Sequence, residues 1–274
     1  MKRKAMDESH NSDYYRRQSP NQRAAAATPE PVLHPYILEE IFLNLPPRHV
    51  VHLCRLVCYQ WKEVADSESF WRERCRREGY HPCDASKVPK DWRMFYFLCR
   101  ERRNLLRNPR GEQGLNGWRI LKNGGDQWAV HGPIKPHPDK TIQSVFVTSF
   151  GMCTKMQLIH LEKEGYNPSF MDDFQPDIRI SEWYNRCRDC GCMYDICVEL
   201  LDERKELIQR FAPETVYPDV DEWKQVTHVF QNYGPGVRYI CFTHGGQDTR
   251  YWKGWYGIRI TESCVEICPP KDTL

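Results

Sequence analysis

The densest chemistry in the sequence sits near its carboxyl end. Gly245-Gly246-Gln247-Asp248-Thr249-Arg250-Tyr251-Trp252-Lys253-Gly254-Trp255-Tyr256-Gly257 holds four aromatic residues within six positions, bracketed by glycines. Neighbouring side chains on a strand point to opposite faces, so four such rings cannot all enter one core. Trp255 or Tyr256 is assigned to core packing, and at least one other ring to the tip of a hairpin loop. That loop joins a strand ending near His244 to one beginning near Gly257. Exposed loop aromatics beside polar groups bind ligands. A flat indole flanked by Lys253 and Asp248 suits a pyranose, whose ring C–H groups stack on it while hydroxyl and acetamido groups take hydrogen bonds.

Other constellations carry less. Cys187, Cys190, Cys192 and Cys197 form a C-x₂-C-x-C-x₄-C cluster. Structural zinc sites commonly pair two C-x₂-C knuckles a dozen or more residues apart. The second knuckle is missing, and Cys197 falls in an alternating strand where a small side chain would be buried. The four are read as reduced thiols, and no metal or cofactor is expected. Asp172-Asp173 would serve glycoside hydrolysis only if both carboxyls faced one substrate; adjacent residues point apart, and a solvated turn is expected. No G-x-S-x-G, H-E-x-x-H or P-loop pattern occurs. The chain is read as non-catalytic.

A formal charge of +2 does not favour a nucleic-acid binder, and no run of 18 apolar residues is present. The basic start, Met1 to Glu8, has no apolar stretch after it, so no secretory signal is expected. The 13 cysteines, odd in number and scattered, point to a reducing cytoplasm with most thiols free.

The elements that must position the aromatic segment divide unequally. Residues 1–31 are polar, without apolar period, and read as a disordered tail. Ile37, Leu38, Ile41, Phe42 and Leu45 recur at helical spacing until Pro46-Pro47. Val50 to Trp61 resumes the period, and Phe70-Trp71 opens a third helix. This unit of about 45 residues is marginal as a free-standing core and would gain from a partner. Trp92 to Leu106 reads as one further helix, a connector, closed by Asn108-Pro109-Arg110-Gly111. Beyond Gly111 the period becomes two: seven or more short strands over about 160 residues, punctuated by turns such as Asn123-Gly124-Gly125-Asp126, argue an antiparallel β-sandwich.

Ile37-Leu38-x-x-Ile41-Phe42-x-x-Leu45-Pro46, Leu53-Cys54-Arg55-Leu56-Val57-Cys58-x-x-Trp61 and Phe70-Trp71 resemble an F-box. Arg103 to Pro109, Glu164-Gly165-Tyr166, Asp221-Glu222-Trp223, Tyr233 to Arg238 and the block from His244 to Trp255 resemble the F-box-associated domain of the sugar-recognising F-box proteins. The resemblance covers about residues 33–268. It implies an α+β multidomain chain: an all-α F-box over 32–78, a helical connector over 79–110, and a jelly-roll-like antiparallel β-sandwich over 111–270.

It also implies the substrate-recognition subunit of a Skp–cullin–F-box ubiquitin ligase, cytoplasmic and associated with the cytosolic face of the endoplasmic reticulum. Such a subunit binds the inner chitobiose of high-mannose N-glycans on misfolded glycoproteins. The family's sugar pocket maps onto Phe150, Asp189, Tyr251, Trp252 and Lys253. Its contact with the Skp adaptor maps onto Leu33, Pro35, Ile37, Leu38, Ile41, Phe42, Leu56, Val57 and Trp61. His34 stands where the F-box pattern commonly has proline, and Cys187 and Cys190 are extra. A receptor for a protein degron, or a glycoprotein-binding lectin or chaperone outside a ligase, stays open on the residues alone.

Overall fold

The computed structural model describes residues 33–82, 88–187 and 190–269; the tail over 1–31 and Asp189 lie outside them. Among the described residues, five α-helices come first: α1 (Pro35–Leu43), α2 (Pro47–His52), α3 (Tyr59–Asp66), α4 (Glu68–Glu78) and α5 (Trp92–Arg100). Their ends follow local chemistry. Pro35 occupies the first turn of α1, where a missing N–H costs nothing, and His34 Nδ1 accepts the Tyr36 N–H at 3.3 Å. Ser67 caps α4, and Asp91 caps α5 by accepting the Met94 N–H at 2.7 Å.

Leu38, Phe42, Phe70, Trp71 and Tyr96 are fully buried at the centre of this module. Phe42, Phe70 and Trp71 meet edge to face, at centroid separations of 6.1 and 5.0 Å. Buried Arg74 donates to the Phe42 and Leu45 carbonyls at 3.1 and 2.8 Å, tying α4 to the end of α1 and the turn after it.

The helix expected over Trp92 to Leu106 stops at Arg100. Beyond it, Leu105 and Leu106 are both buried in the sandwich. The chain instead runs beside the last strand. Leu105 donates to the Val265 carbonyl at 2.8 Å, and the Asn104 side chain donates to Ser263 O and accepts from Leu106 and Val265. α5 is more than a connector. Phe95 and Tyr96 enter the helical core while Leu98 enters the sandwich core.

Ten strands follow: β1 (Arg119–Asn123), β2 (Ala129–His131), β3 (Val145–Val147), β4 (Cys153–His160), β5 (Asp177–Asn185), β6 (Cys192–Leu201), β7 (Leu207–Phe211), β8 (Lys224–Phe230), β9 (Tyr239–Asp248) and β10 (Arg259–Cys268). They form two five-stranded sheets, ordered β1-β4-β9-β6-β7 and β2-β3-β10-β5-β8. Every pairing is antiparallel. This is the expected α+β organisation, a helical module followed by an antiparallel sandwich. β9 and β10 belong to different sheets, so the segment between them is not the expected hairpin. It crosses from one layer to the other, which requires a longer, self-supporting loop.

Between the layers lies a buried polar cluster. Glu182 on β5 accepts from Tyr194 (2.5 Å), His244 Nδ1 (2.5 Å) and Ser263, drawing together β5, β6, β9 and β10. Lys155, on β4, places its Nζ 3.5 Å from the centroid of Trp118 and 3.1 Å from that of Phe146. Burial pushes the Lys155 amine well below the ordinary lysine range, against the attraction of Glu182. Burial likewise holds His244 down at about 4, from 6.5, with Glu182 opposing and Lys155 assisting.

The unfolded chain therefore takes up a proton at His244 below pH 6.5 that the folded chain refuses until about pH 4. The stabilising contribution of neutral His244 is fully present above pH 6.5 and is lost as pH falls between those values. His244→Gln is expected to lower the urea midpoint at pH 7 and to flatten its fall between pH 6.5 and 4 relative to the unsubstituted chain. Parallel pH curves for the two proteins would contradict this.

Candidate functional site

Four loops meet at one end of the sandwich. The turn Gly124–Gln127 touches the bend after β3, where Gly124 donates to Met152 O at 3.0 Å. A Cβ on Gly151 would lie 2.5 Å from Gly125 N, so this approach needs glycine. Phe150, half-buried, flanks Gly125 from that bend. The segment after β9 joins them: Asp248 N–H donates to Ser149 O and Gly257 N–H to Thr148 O. The start of β6 supplies the fourth side, with Gly191 O accepting the Thr249 N–H at 2.9 Å.

Fully buried Asp248 anchors the crossing segment. One carboxylate oxygen accepts the Arg250 N–H and the other the Trp252 N–H, both at 2.8 Å. These paired bonds hold Tyr251 at φ +57°, a left-handed conformation costing about 1–3 kcal/mol in a non-glycine residue. Asp126 then accepts the Gly254 N–H at 2.7 Å, and the Trp255 indole donates to Gln127 O at 3.2 Å. Asp248→Ala is expected to destabilise the chain by about 1–3 kcal/mol, because two N–H groups lose a charged acceptor. Asp248→Asn, keeping one acceptor, should cost less. Denaturant midpoints compare them.

The rings stand outward. Tyr251 is 70% exposed, Trp252 47%, Tyr256 40% and Trp255 39%. Neither Trp255 nor Tyr256 therefore plays the expected core role. The core between the sheets is built instead from residues such as Phe146, Phe242 and Ile258. The Trp252 indole is buttressed by the Arg250 guanidinium 5.3 Å from its centroid and by the edge of Tyr256 at 6.0 Å. Lys253 is exposed beside it. The structure thus gathers Phe150, Tyr251, Trp252 and Lys253 around the turn Gly124–Gln127. Asp126, Gln127 and the anchoring role of Asp248 were not read from the sequence. The turn there reads as punctuation, and a carboxylate that caps loop amides leaves no spacing signature.

Cys197 does not join the other three cysteines. Cys187, Cys190 and Cys192 are buried beside this end, whereas Cys197 is five positions along β6 from Cys192 and so on the other face. Cys197 is half-exposed rather than buried, accepting from Arg210 Nε at 3.2 Å. Asp172 is no solvated turn residue either. It holds Arg238 through two bonds and the Gly236 N–H at 2.7 Å, and the Arg238 guanidinium keeps its carboxyl below the usual range.

The helical module presents a second candidate surface. Its apolar stripe divides: Leu38 and Phe42 are fully buried in their own core, so neither is available to a partner. Half-buried Trp61 packs edge-on against Phe42 at 5.2 Å. Leu33, Pro35, Ile37, Ile41, Leu56 and Val57 face outward, Leu56 at 80% exposure, joined by Tyr36, Leu53 and Tyr59 that the mapping omitted.

Fold and sites together give a small helical module with exposed apolar residues, followed by a β-sandwich with exposed aromatic rings at one end. Comparison with known proteins gives the same division. A family model described as "F-box-like" matches residues 35–77, and one described as "F-box associated region" matches residues 96–267. The chain is 44% identical over 238 residues to F-box only protein 6 of Bos taurus, covering 84% of this chain and 90% of that protein. It is 42% identical over 241 residues to F-box only protein 44 of Homo sapiens (85% and 94%), and 41% identical over 251 residues to F-box only protein 2 of Bos taurus (88% and 83%). The chain belongs to the family of F-box proteins that carry an F-box-associated domain. Among the described residues, no helix is long and apolar enough to cross a membrane.

Proposed function

We propose that this chain is the substrate-recognition subunit of a Skp–cullin–F-box ubiquitin ligase, binding the inner chitobiose of high-mannose N-glycans on misfolded glycoproteins for degradation. The observation that carries the reading is the half-exposed Trp252 indole, fixed in place by the buried Asp248 carboxylate through its backbone and by Arg250 and Tyr256 through its ring. A pre-positioned aromatic face loses little conformational freedom when a ligand settles on it. Trp252 stacks on a GlcNAc ring, Phe150 and Tyr251 wall the pocket, and Lys253 and Asp189 hydrogen-bond the polar substituents. Wrong sugars are rejected because buried polar groups would be left unpaired.

The outward apolar residues of α1 and of the turn near Leu56 supply the adaptor contact, a helix-in-groove arrangement that buries what a 45-residue unit cannot. The chain forms no covalent bond itself. It raises the effective concentration of client lysines near a ubiquitin-loaded enzyme in the cytoplasm, at the face of the endoplasmic reticulum. Elution from high-mannose glycoprotein beads by free chitobiose tests the reading. Competition by chitobiose and not by an unrelated disaccharide is expected; retention on deglycosylated beads, unaffected by chitobiose, would favour a protein degron instead.

A further inference from the structure

The outer face of the first sheet carries a groove of about 570 Å³ at the end of β4 and β9 remote from the aromatic loop. The eight residues of β4 run from Cys153, beside the bend that bears Phe150, to His160 in the groove, a span of about 25 Å. Leu158, 42% exposed, and Met156 form an aliphatic floor. Tyr239 completes it, stacked on His160 at 4.7 Å.

The walls are cationic: Arg107 and Arg119 on one side, Lys163 and Lys205 on the loops that follow β4 and β6. Among the described residues, the side chains of Arg107, Arg119 and Lys163 meet no acceptor, and Lys205 lies 5.7 Å from the Tyr239 centroid. Among the described residues, the one carboxylate lining the groove, Glu164, is already held by Arg103 at 2.9 Å. Glu162 stands only at the rim, 4.0 Å from His160. In a chain whose net charge is +2, four cations without a committed anion around an apolar floor form a local feature, not a consequence of composition.

We propose that this groove binds an extended acidic peptide, its carboxylates on the Arg and Lys walls and its intervening apolar side chains on Leu158 and Met156. The aliphatic floor favours a polypeptide over a nucleic acid, which would need free rings for its bases, because Tyr239 is already stacked. The proposal is independent of the sugar reading, since the two sites lie at opposite ends of β4.

Fluorescence anisotropy on the full chain tests it, with a labelled decapeptide alternating Glu and Leu. Binding is expected to weaken at least about tenfold in Lys163→Glu/Lys205→Glu and separately in Arg119→Glu, with melting temperatures unchanged. It should also weaken as salt rises from about 50 to 300 mM, and persist in Trp252→Ala. Equal affinity for a Gln-substituted peptide, unchanged affinity in both charge-reversed variants, or preference for a single-stranded oligonucleotide of the same charge would overturn it.

Discussion

Trp252→Ala is expected to abolish retention on chitobiose while leaving the fold intact. The indole is half-exposed and its neighbours Arg250 and Tyr256 are themselves outside the core, so truncation opens no cavity. Losing the stacking face removes about 0.5–1.5 kcal/mol of ring-specific interaction plus the burial of the sugar's apolar face. Together these amount to about 2 kcal/mol, roughly a thirtyfold loss of monovalent affinity. Trp252→Phe, which keeps a smaller ring, should fall between. Affinity is read by calorimetry with free chitobiose, and integrity by an unchanged thermal midpoint. Ala and the unsubstituted chain binding alike would remove Trp252 from the site.

The other large effect is on the helical module, where outward and buried apolar residues should behave in opposite ways. Leu56→Glu and Ile37→Glu place a charge on side chains that face outward, and should abolish co-purification of the Skp adaptor without unfolding the chain. An unpaired charge at the centre of such an interface costs several kcal/mol, enough to reduce binding more than a hundredfold. Phe42→Ala acts differently, because its ring is fully buried against Trp61 and Phe70. It should cost about 3–5 kcal/mol of stability, enough to unfold a module this small. Glycan retention should survive Leu56→Glu, because the sandwich has its own core. Adaptor capture by Leu56→Glu at the unsubstituted level would move the interface elsewhere.

These contrasts mark where the sequence could and could not be read. The α1 period identifies an apolar face but not its division, because helical spacing places Ile37 and Leu38 on one stripe while only packing tells which side turns inward. Strands with a buried face, such as β4, β6 and β10, alternate clearly. The edge strands β1, β2 and β7 do not, because an edge strand here buries little of either face and so sets no alternation. The aromatic block stands out because four rings in six residues exceed what a strand can bury. Its support does not, because Asp126 arrives from a turn 128 positions earlier in the chain. The early end of α5 was hidden for the same reason. Leu105 and Leu106 suit a helix by composition and are drawn off by a β10 backbone 160 residues away.

The central claim is that one chain joins a sugar to the ligase adaptor, each through its own surface. A single pull-down on high-mannose glycoprotein beads, probed for the Skp adaptor, measures that coupling directly. The unsubstituted chain should bring the adaptor to the beads. Trp252→Ala should lose both chain and adaptor from them, and Leu56→Glu should leave the chain bound and lose the adaptor alone. Adaptor recovered on the beads with Trp252→Ala, or chain lost together with adaptor in Leu56→Glu, would contradict it.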